Sequence, residues 1–402
     1  MRYKIETERV DLFDVSIVIT MCLKLAGDVP FDMLKNAFDK ACTYHEVLGS
    51  KIVIEPDGEA YYEDVEKGTG ANTFSQTDLS LEELIYENER RRFRIEDGEF
   101  IRGFSSPSGI VLMMHHLGGD GKSLLYFTET FMKCLNGEIC EFMPFRSLDP
   151  KSLPEDGGLP CVYKMLTKHW NRKWSREKRI FTFADMDAAY TEYWKDRKTK
   201  ITITKYEKDE WNKLLESARR IGVSVTALLI TDMIRDSQGK KDIGLAVDGR
   251  MDGNRSMGNQ ATGISVEYGY VPDKSFEENA MAVHALMKRK LSDDRYKYFV
   301  LNFMGALDPA LKDALNLEHA GYFSGKVSSY LAQLLGYGTK VRDISITNLT
   351  RADIPVTYGE YGIKDLIFIP PVVSYAKNVY GIVTAGERMY VVRHIFEQTV
   401  SE

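Results

Sequence analysis

Two adjacent histidines, His115 and His116, stand just ahead of Asp120, with Gly118, Gly119 and Gly121 set around that carboxylate. Imidazole gains and loses a proton near neutral pH, so a histidine at the mouth of a cleft can accept a proton from an attacking hydroxyl or amine. A carboxylate beyond a glycine-containing turn can cap the next helix. Glycine lets the backbone turn sharply and come close to a reacting atom. Side chains along a strand point alternately to opposite faces. The two histidines therefore cannot share one job: one looks into a cleft and the other packs behind the sheet.

The elements that must position these residues can be read on either side. The apolar run Ile110-Val111-Leu112-Met113-Met114 reads as a buried strand, and Lys122 to Phe131 as an amphipathic helix. Strand, polar glycine-rich turn, helix is the junction at which α/β proteins place their ligands. Glu99–Phe104 pairs with the motif strand as a hairpin across Ser105-Ser106-Pro107-Ser108. Lys51–Ile54 pairs with Ala60–Tyr62 across Glu55-Pro56-Asp57-Gly58-Glu59. Before these come a strand from Val15 to Leu25 and a helix with Phe31, Leu34, Phe38 and Ala41 on one face; Leu79 to Arg92 reads as a charged helix.

After residue 135 the texture changes. Pro144, Pro150, Pro154 and Pro160 mark a crossover or linker, placed at 136–195. The basic run Lys164, Lys168, His169, Arg172, Lys173, Arg176, Lys178 and Arg179 reads as a solvated helix face. The second half opens with the strand Lys200–Thr204. Helices at Lys208–Ile221, Thr226–Asp236 and Phe276–Leu291 follow, with strands at Ile243–Val247, Ala261–Tyr270, Asp343–Thr347, Leu366–Pro370, Val379–Thr384 and Arg388–His394. The expected organisation is an N-terminal lobe over 1–175 and a C-terminal lobe over 176–402.

Composition bounds the function. A chain of 402 residues is too long for one compact core and predicts about two domains. A net charge of −6 gives no support to nucleic acid as a partner. No apolar run reaches the roughly 18 residues that span a bilayer, and the first residues lack the layout of a signal peptide. Cys22, Cys42, Cys134, Cys140 and Cys161 have no metal-site spacing and read as reduced thiols in a cytoplasm.

The segment His115 to Gly121 matches the HHxxxDG motif and resembles the coenzyme A-dependent acyltransferase superfamily, of chloramphenicol acetyltransferase, condensation-domain and alcohol acetyltransferase type. Other stretches are similar at pattern level: Pro30–Ile54, Lys208–Asp232, Val247-Asp248-Gly249-Arg250 with Met257-Gly258-Asn259, and Ser345-Ile346-Thr347-Asn348-Leu349. No DFGWG box is present, which argues against the plant-type branch.

The resemblance implies an α/β fold of two chloramphenicol acetyltransferase-like lobes in a V, with the motif in a tunnel at their interface. It implies transfer of an acyl group from an acyl thioester to an alcohol or amine, with His116 as general base and His115 as a packed neighbour. It makes Asp120 a brace paired with an arginine of the other lobe, for which Arg250 is the candidate. The Gly121 amide is placed to face the developing oxyanion, and Asn348 is a weaker candidate for orienting acceptor or oxyanion, set against a strand-end cap. Acyl-coenzyme A is the expected co-substrate, the basic run being a candidate contact for its phosphates; an acyl carrier protein in trans is the alternative donor. No permanently bound cofactor, metal or nucleic acid is expected. The rival reading is a non-catalytic scaffold or docking protein on the same fold. A hydrolase would need a nucleophile elbow, and no G-x-S-x-G stands beside the histidines.

Overall fold

The computed structural model describes residues 2–65, 70–148, 153–154, 158–250, 253–335, 341–373 and 376–397. Its strands form three sheets. The sheet that carries the motif has the order Gly362–Ile369, Val18–Ala26, Gly109–His115, Ile101–Ser106 and Thr73–Gln76. The motif strand is central, with antiparallel neighbours on both sides: Val18 pairs with His115, and Ile101 with Met114. A strand covered on both faces needs a continuous apolar run, and Ile110 to Met114 are all buried. The turn Pro107-Ser108 joins the hairpin, and at Gly109 a φ of 120° and a Cβ that would lie 2.2 Å from the Leu23 carbonyl oxygen both call for glycine.

A small sheet of Arg2–Lys4, Ala60–Asp64 and Ser50–Ile54 packs beside the first. The third sheet has the order Ala261–Tyr268, Lys241–Asp248, Ile344–Arg351, Val379–Ala385, Arg388–Phe396 and Thr199–Tyr206. Helices Lys208–Ile221, Val225–Ile234 and Phe276–Leu291 lie in this second half. Their ends follow local chemistry. Ser275 and Glu278 form a capping box, and Gly222 closes the first of them at φ 77°.

Two features depart from the sequence reading. The strand expected at Leu366–Pro370 runs from Gly362 to Ile369 and pairs at the edge of the motif sheet beside Val18–Ala26, while still packing against Val379–Ala385 and Arg388–Phe396, its neighbours in sequence. The stretch read as crossover contains helices Cys161–Trp174 and Phe183–Trp194. Trp170, Trp174, Tyr190, Tyr193 and Trp194 pack into the same core as the motif strand, joined by Leu311, Leu315 and Leu331 from helices much later in the chain. The basic residues of 164–173 do lie on the outer face of the first of these helices. Charge is legible there; the tryptophans beneath it carry the fold. All five cysteines are free thiols, with the Cys134 and Cys140 sulfurs 3.8 Å apart.

Candidate active site

The motif occupies the end of the central strand, one 3-10 turn (His116–Gly118) and the start of helix Gly121–Leu135. Asp120 is the N-cap of that helix: its Oδ1 accepts from the Ser123 amide at 2.9 Å and from the Ser123 hydroxyl at 3.1 Å. The turn needs Gly119, whose φ is 147° and whose Cβ would lie 2.3 Å from that of Ser123. Gly121 is tight for another reason: a Cβ there would meet Leu349 and Phe368, each at 3.0 Å. Tyr62 of the small sheet ties the turn down by donating to the Leu117 carbonyl at 3.0 Å.

The two histidines differ sharply. His115 is fully buried, packs edge-on against Phe93, and accepts from the Leu117 amide through Nδ1 at 3.1 Å. Burial, with the charges of His116, Arg92 and Arg102, pushes its pKa down to about 3. His116 keeps 15% of its side chain exposed. Its amide donates to the Ile17 carbonyl at 3.2 Å, and its Nδ1 is buried with no full hydrogen bond, its own backbone carbonyl lying near enough to favour the protonated ring. Burial holds its pKa below the ordinary imidazole value, against the opposing pull of Asp120 and Asp14. A histidine so placed is neutral at pH 7 and free to accept a proton.

Asp120 meets the Arg250 guanidinium end-on. Nη1 lies 2.9 Å from Oδ2 and Nη2 lies 2.8 Å from Oδ1, with both side chains at most 5% exposed. This two-pronged geometry is the strong form of a carboxylate–guanidinium pair. Arg250 also donates to the Ser123 hydroxyl and to Asp248. The Gln260 amide adds a bond to Asp120 Oδ2 at 3.0 Å. Burial alone would raise the Asp120 pKa; Arg250 and these donors outweigh it and hold the carboxyl below its usual range. Arg250 follows strand Lys241–Asp248, so the pair ties the motif to the second half of the chain.

Asn348 is engaged elsewhere. Its amide donates to the Thr226 hydroxyl at 2.9 Å, and its Oδ1 accepts from the Thr350 amide at 2.7 Å. That is a brace inside strand Ile344–Arg351, where its register with Val379–Ala385 shifts, rather than the strand-end cap expected. His45, His284 and His394, to which the sequence assigns no role, bond Thr130, the Ser224 amide and the Pro370 carbonyl respectively.

Three acids escape the sequence reading: Asp11 and Asp14 beside His116, and Glu8 next to Asp11. They lie in a buried segment that begins with the short helix Thr7–Asp11. Arg9 of that helix forms a buried pair with Asp313, and the Val15 carbonyl accepts from Trp194. Asp11 Oδ2 is 3.9 Å from His116 Nδ1 and accepts from Asn259 Nδ2 at 2.7 Å. Burial pushes both Glu8 and Asp11 up to about 7. Acids spaced by three among Val10, Leu12, Phe13 and Val15 are the available signal, since charge inside an apolar run needs a partner.

Cavities of about 480 and 260 Å³ open elsewhere, the larger lined by Ser224, His284, Met287 and Lys288, the smaller by Glu207, Lys364 and Arg388. Among the described residues no helix is long and apolar enough to cross a membrane, and no cluster could hold a metal ion.

No family model and no curated protein matches the chain. Solved structures do. The first condensation domain of the CDA synthetase superposes with a TM-score of 0.60 at 14% identity, over 96% of this chain and 87% of that one. The TRI3 trichothecene 15-O-acetyltransferase from Fusarium sporotrichioides gives 0.64 at 12% identity, over 99% and 91%. The starter condensation domain of rhizomide synthetase RzmA, a point mutant in complex with C8-CoA, gives 0.59 at 10% identity, over 98% and 89%. The chain therefore has the condensation-domain fold: an α/β architecture of two chloramphenicol acetyltransferase-like lobes.

Proposed function

We propose that this protein moves an acyl group from an acyl thioester to an alcohol or amine, with His116 as general base. The observation that carries the reading is a neutral histidine, partly exposed at the lobe junction, beside a buried Asp120–Arg250 pair made across that junction. Structural neighbours that include an O-acetyltransferase and a condensation domain with C8-CoA support it. Acyl-coenzyme A is the proposed donor, used as a co-substrate; a carrier-protein-bound acyl group is the alternative.

His116 Nδ1 is buried, so Nε2 is the atom assigned to the acceptor. It takes the acceptor's proton as the oxygen or nitrogen attacks the thioester carbonyl, a contribution of about 10²–10⁴-fold in rate. The tetrahedral intermediate puts negative charge on the former carbonyl oxygen. The Gly121 amide, first in helix Gly121–Leu135, is assigned to it, where the helix dipole also favours negative charge. Collapse breaks the carbon–sulfur bond, and the imidazolium returns its proton to the leaving thiolate. His115 supports the turn through the Leu117 amide; Asp120 and Arg250 brace the lobes.

A screen of acyl-coenzyme A donors against alcohols and amines, read by release of free thiol, tests the reading. The parent protein is expected to release thiol, and His116→Ala to lose this activity while keeping its circular dichroism spectrum. A non-catalytic scaffold predicts no release from either. Undiminished release by His116→Ala refutes the base assignment.

A further inference from the structure

We propose that Asp11 is a positioning residue for His116: held by Asn259 from the other lobe, its carboxylate keeps the imidazole proton on Nδ1 and balances the charge that the ring acquires. This deepens the acyltransferase reading and rests on it. Three carboxylates surround the ring. Asp120 is saturated by Arg250, Ser123 and Gln260. Asp14 acts on the ring by charge alone, its Oδ1 being taken by the Ser16 amide and hydroxyl, each at 2.9 Å. Besides the backbone carbonyl of His116 itself, the ring's other nearby acceptor is Asp11, which presents Oδ2 to the buried Nδ1 at 3.9 Å. A shift of about 1 Å makes that approach a hydrogen bond.

A base needs a bare lone pair on the nitrogen that faces the acceptor. With the proton on Nδ1, held towards a carboxylate, Nε2 is bare; with the tautomer reversed, the base is blocked. Asp11 is also an unusual place for an acid. It is 6% exposed, and the same buried segment holds Glu8, whose Oε1 lacks a hydrogen-bond partner. A buried acid retained beside a proposed base is a candidate for function. Burial raises Asp11, and the hydrogen bond from Asn259 opposes that.

Asn259 gives the arrangement a second property. Its Nδ2 donates to Asp11, while its Oδ1 accepts from the Ala261 amide at the start of strand Ala261–Tyr268. The acid that orients the base is thus itself oriented from the second lobe.

The charged and titratable groups facing the pair are Asp14, Asp120, His115, Glu8 and Tyr62. Unlike them, Asp11 is the group whose removal is predicted to change tautomer as well as charge. The test uses the full chain and the variants Asp11→Ala, Asp11→Asn and Asn259→Ala. In the thiol-release assay, kcat is expected to fall about 10- to 100-fold for the Asp11 variants, a part of the base's whole contribution, with KM for donor and acceptor unchanged. The acid limb of kcat/KM moves to lower pH in Asp11→Asn, because the acid that titrates at about 7 is gone and His116, held below its ordinary value, sets the limb alone. Asn259→Ala shows the same changes at smaller size. In parallel, nitrogen NMR of ¹⁵N-histidine-labelled protein at pH 9 reads the His116 tautomer: Nδ1–H in the parent, mixed in Asp11→Ala. A kcat within twofold of the parent together with an unchanged tautomer overturns the proposal. If the parent releases no thiol from any donor, the acyltransferase reading fails, and the tautomer comparison alone then decides the positioning role.

Discussion

Replacing Asp120 by alanine removes one partner of a buried ion pair and leaves the other in place. Arg250 is 4% exposed in its side chain, so its charge stays buried with the 40% exposed Asp248, 3.1 Å away, as its remaining carboxylate. Breaking such a pair costs about 3–5 kcal/mol, and the loss of an N-cap, about 1 kcal/mol, lies within that figure. For 402 residues the unfolding entropy is about 0.8 kcal/mol per kelvin, so 4 kcal/mol lowers the melting temperature by about 5 °C if the chain unfolds in one transition. The decisive assay is a double-mutant cycle. Asp120→Leu and Arg250→Leu, singly and together, are compared by urea unfolding followed by circular dichroism. The double variant is expected to be more stable than the sum of the two losses predicts, by about 2 kcal/mol or more, since it leaves neither charge stranded. The pH dependence has a definite sign. The folded-state pKa of Asp120 is depressed, so its contribution is present above the unfolded value, near 3.9, and is lost as pH falls through the folded value. The gap between parent and Asp120→Ala should therefore close in acid. A loss under about 1 kcal/mol, or strictly additive losses in the cycle, would refute the description of this pair as a brace.

Two further outcomes follow from the neighbourhood of the motif. Gly119→Ala puts a Cβ 2.3 Å from that of Ser123 at a residue with φ 147°, so strain and overpacking together should cost about 2–4 kcal/mol in urea unfolding; parental stability would show that the turn does not need glycine. Glu8 carries the opposite sign to Asp120. Burial raises it to about 7, so the folded state holds a proton that the unfolded chain gives up near 4.3, and stability is lost as pH rises between those values. Glu8→Gln is expected to match the parent near pH 4 and to exceed it by on the order of 3 kcal/mol at pH 8. Equal stability of the two proteins at both pH values would show that Glu8 is not desolvated as described.

The parts of this fold that are legible are those whose signals are local. The motif strand announces itself by five apolar residues between turn chemistries, and helix Phe276–Leu291 by its Ser275–Glu278 box. The pairing of Asp120 with Arg250 is expected from the resemblance and is present in the geometry, although 130 residues separate the two. What is not legible depends on distance. Nothing local says that Gly362–Ile369 adds to the motif sheet rather than to the sheet that holds its neighbours in the chain. The helices at 161–174 and 183–194 are hidden because charge on their outer face and prolines before them resemble a linker, while the inward tryptophans find their core only after folding. The acids at 8, 11 and 14 are silent for the same reason. Their meaning lies in Asn259, His116 and the depth of burial, none of which is near them in sequence.

Asp11 and Asp120 have the same side chain, both act on one histidine, and are both contacted from the segment between two strands of the other lobe. Arg250, just after strand Lys241–Asp248, meets Asp120, and Asn259, just before strand Ala261–Tyr268, meets Asp11. The difference in donor decides the difference in behaviour. A guanidinium neutralises Asp120, so its carboxyl stays ionised and serves as a fixed brace. An amide has no charge to offer, so Asp11 remains hard to ionise and responsive to any positive charge that appears beside it. In the proposed reaction that charge appears on His116 when the acceptor loses its proton. The segment therefore couples two requirements: lobes that separate lose the Asp120 brace and the Asn259 contact together. A site built this way would hold the base in working order only while the lobes stay closed on it.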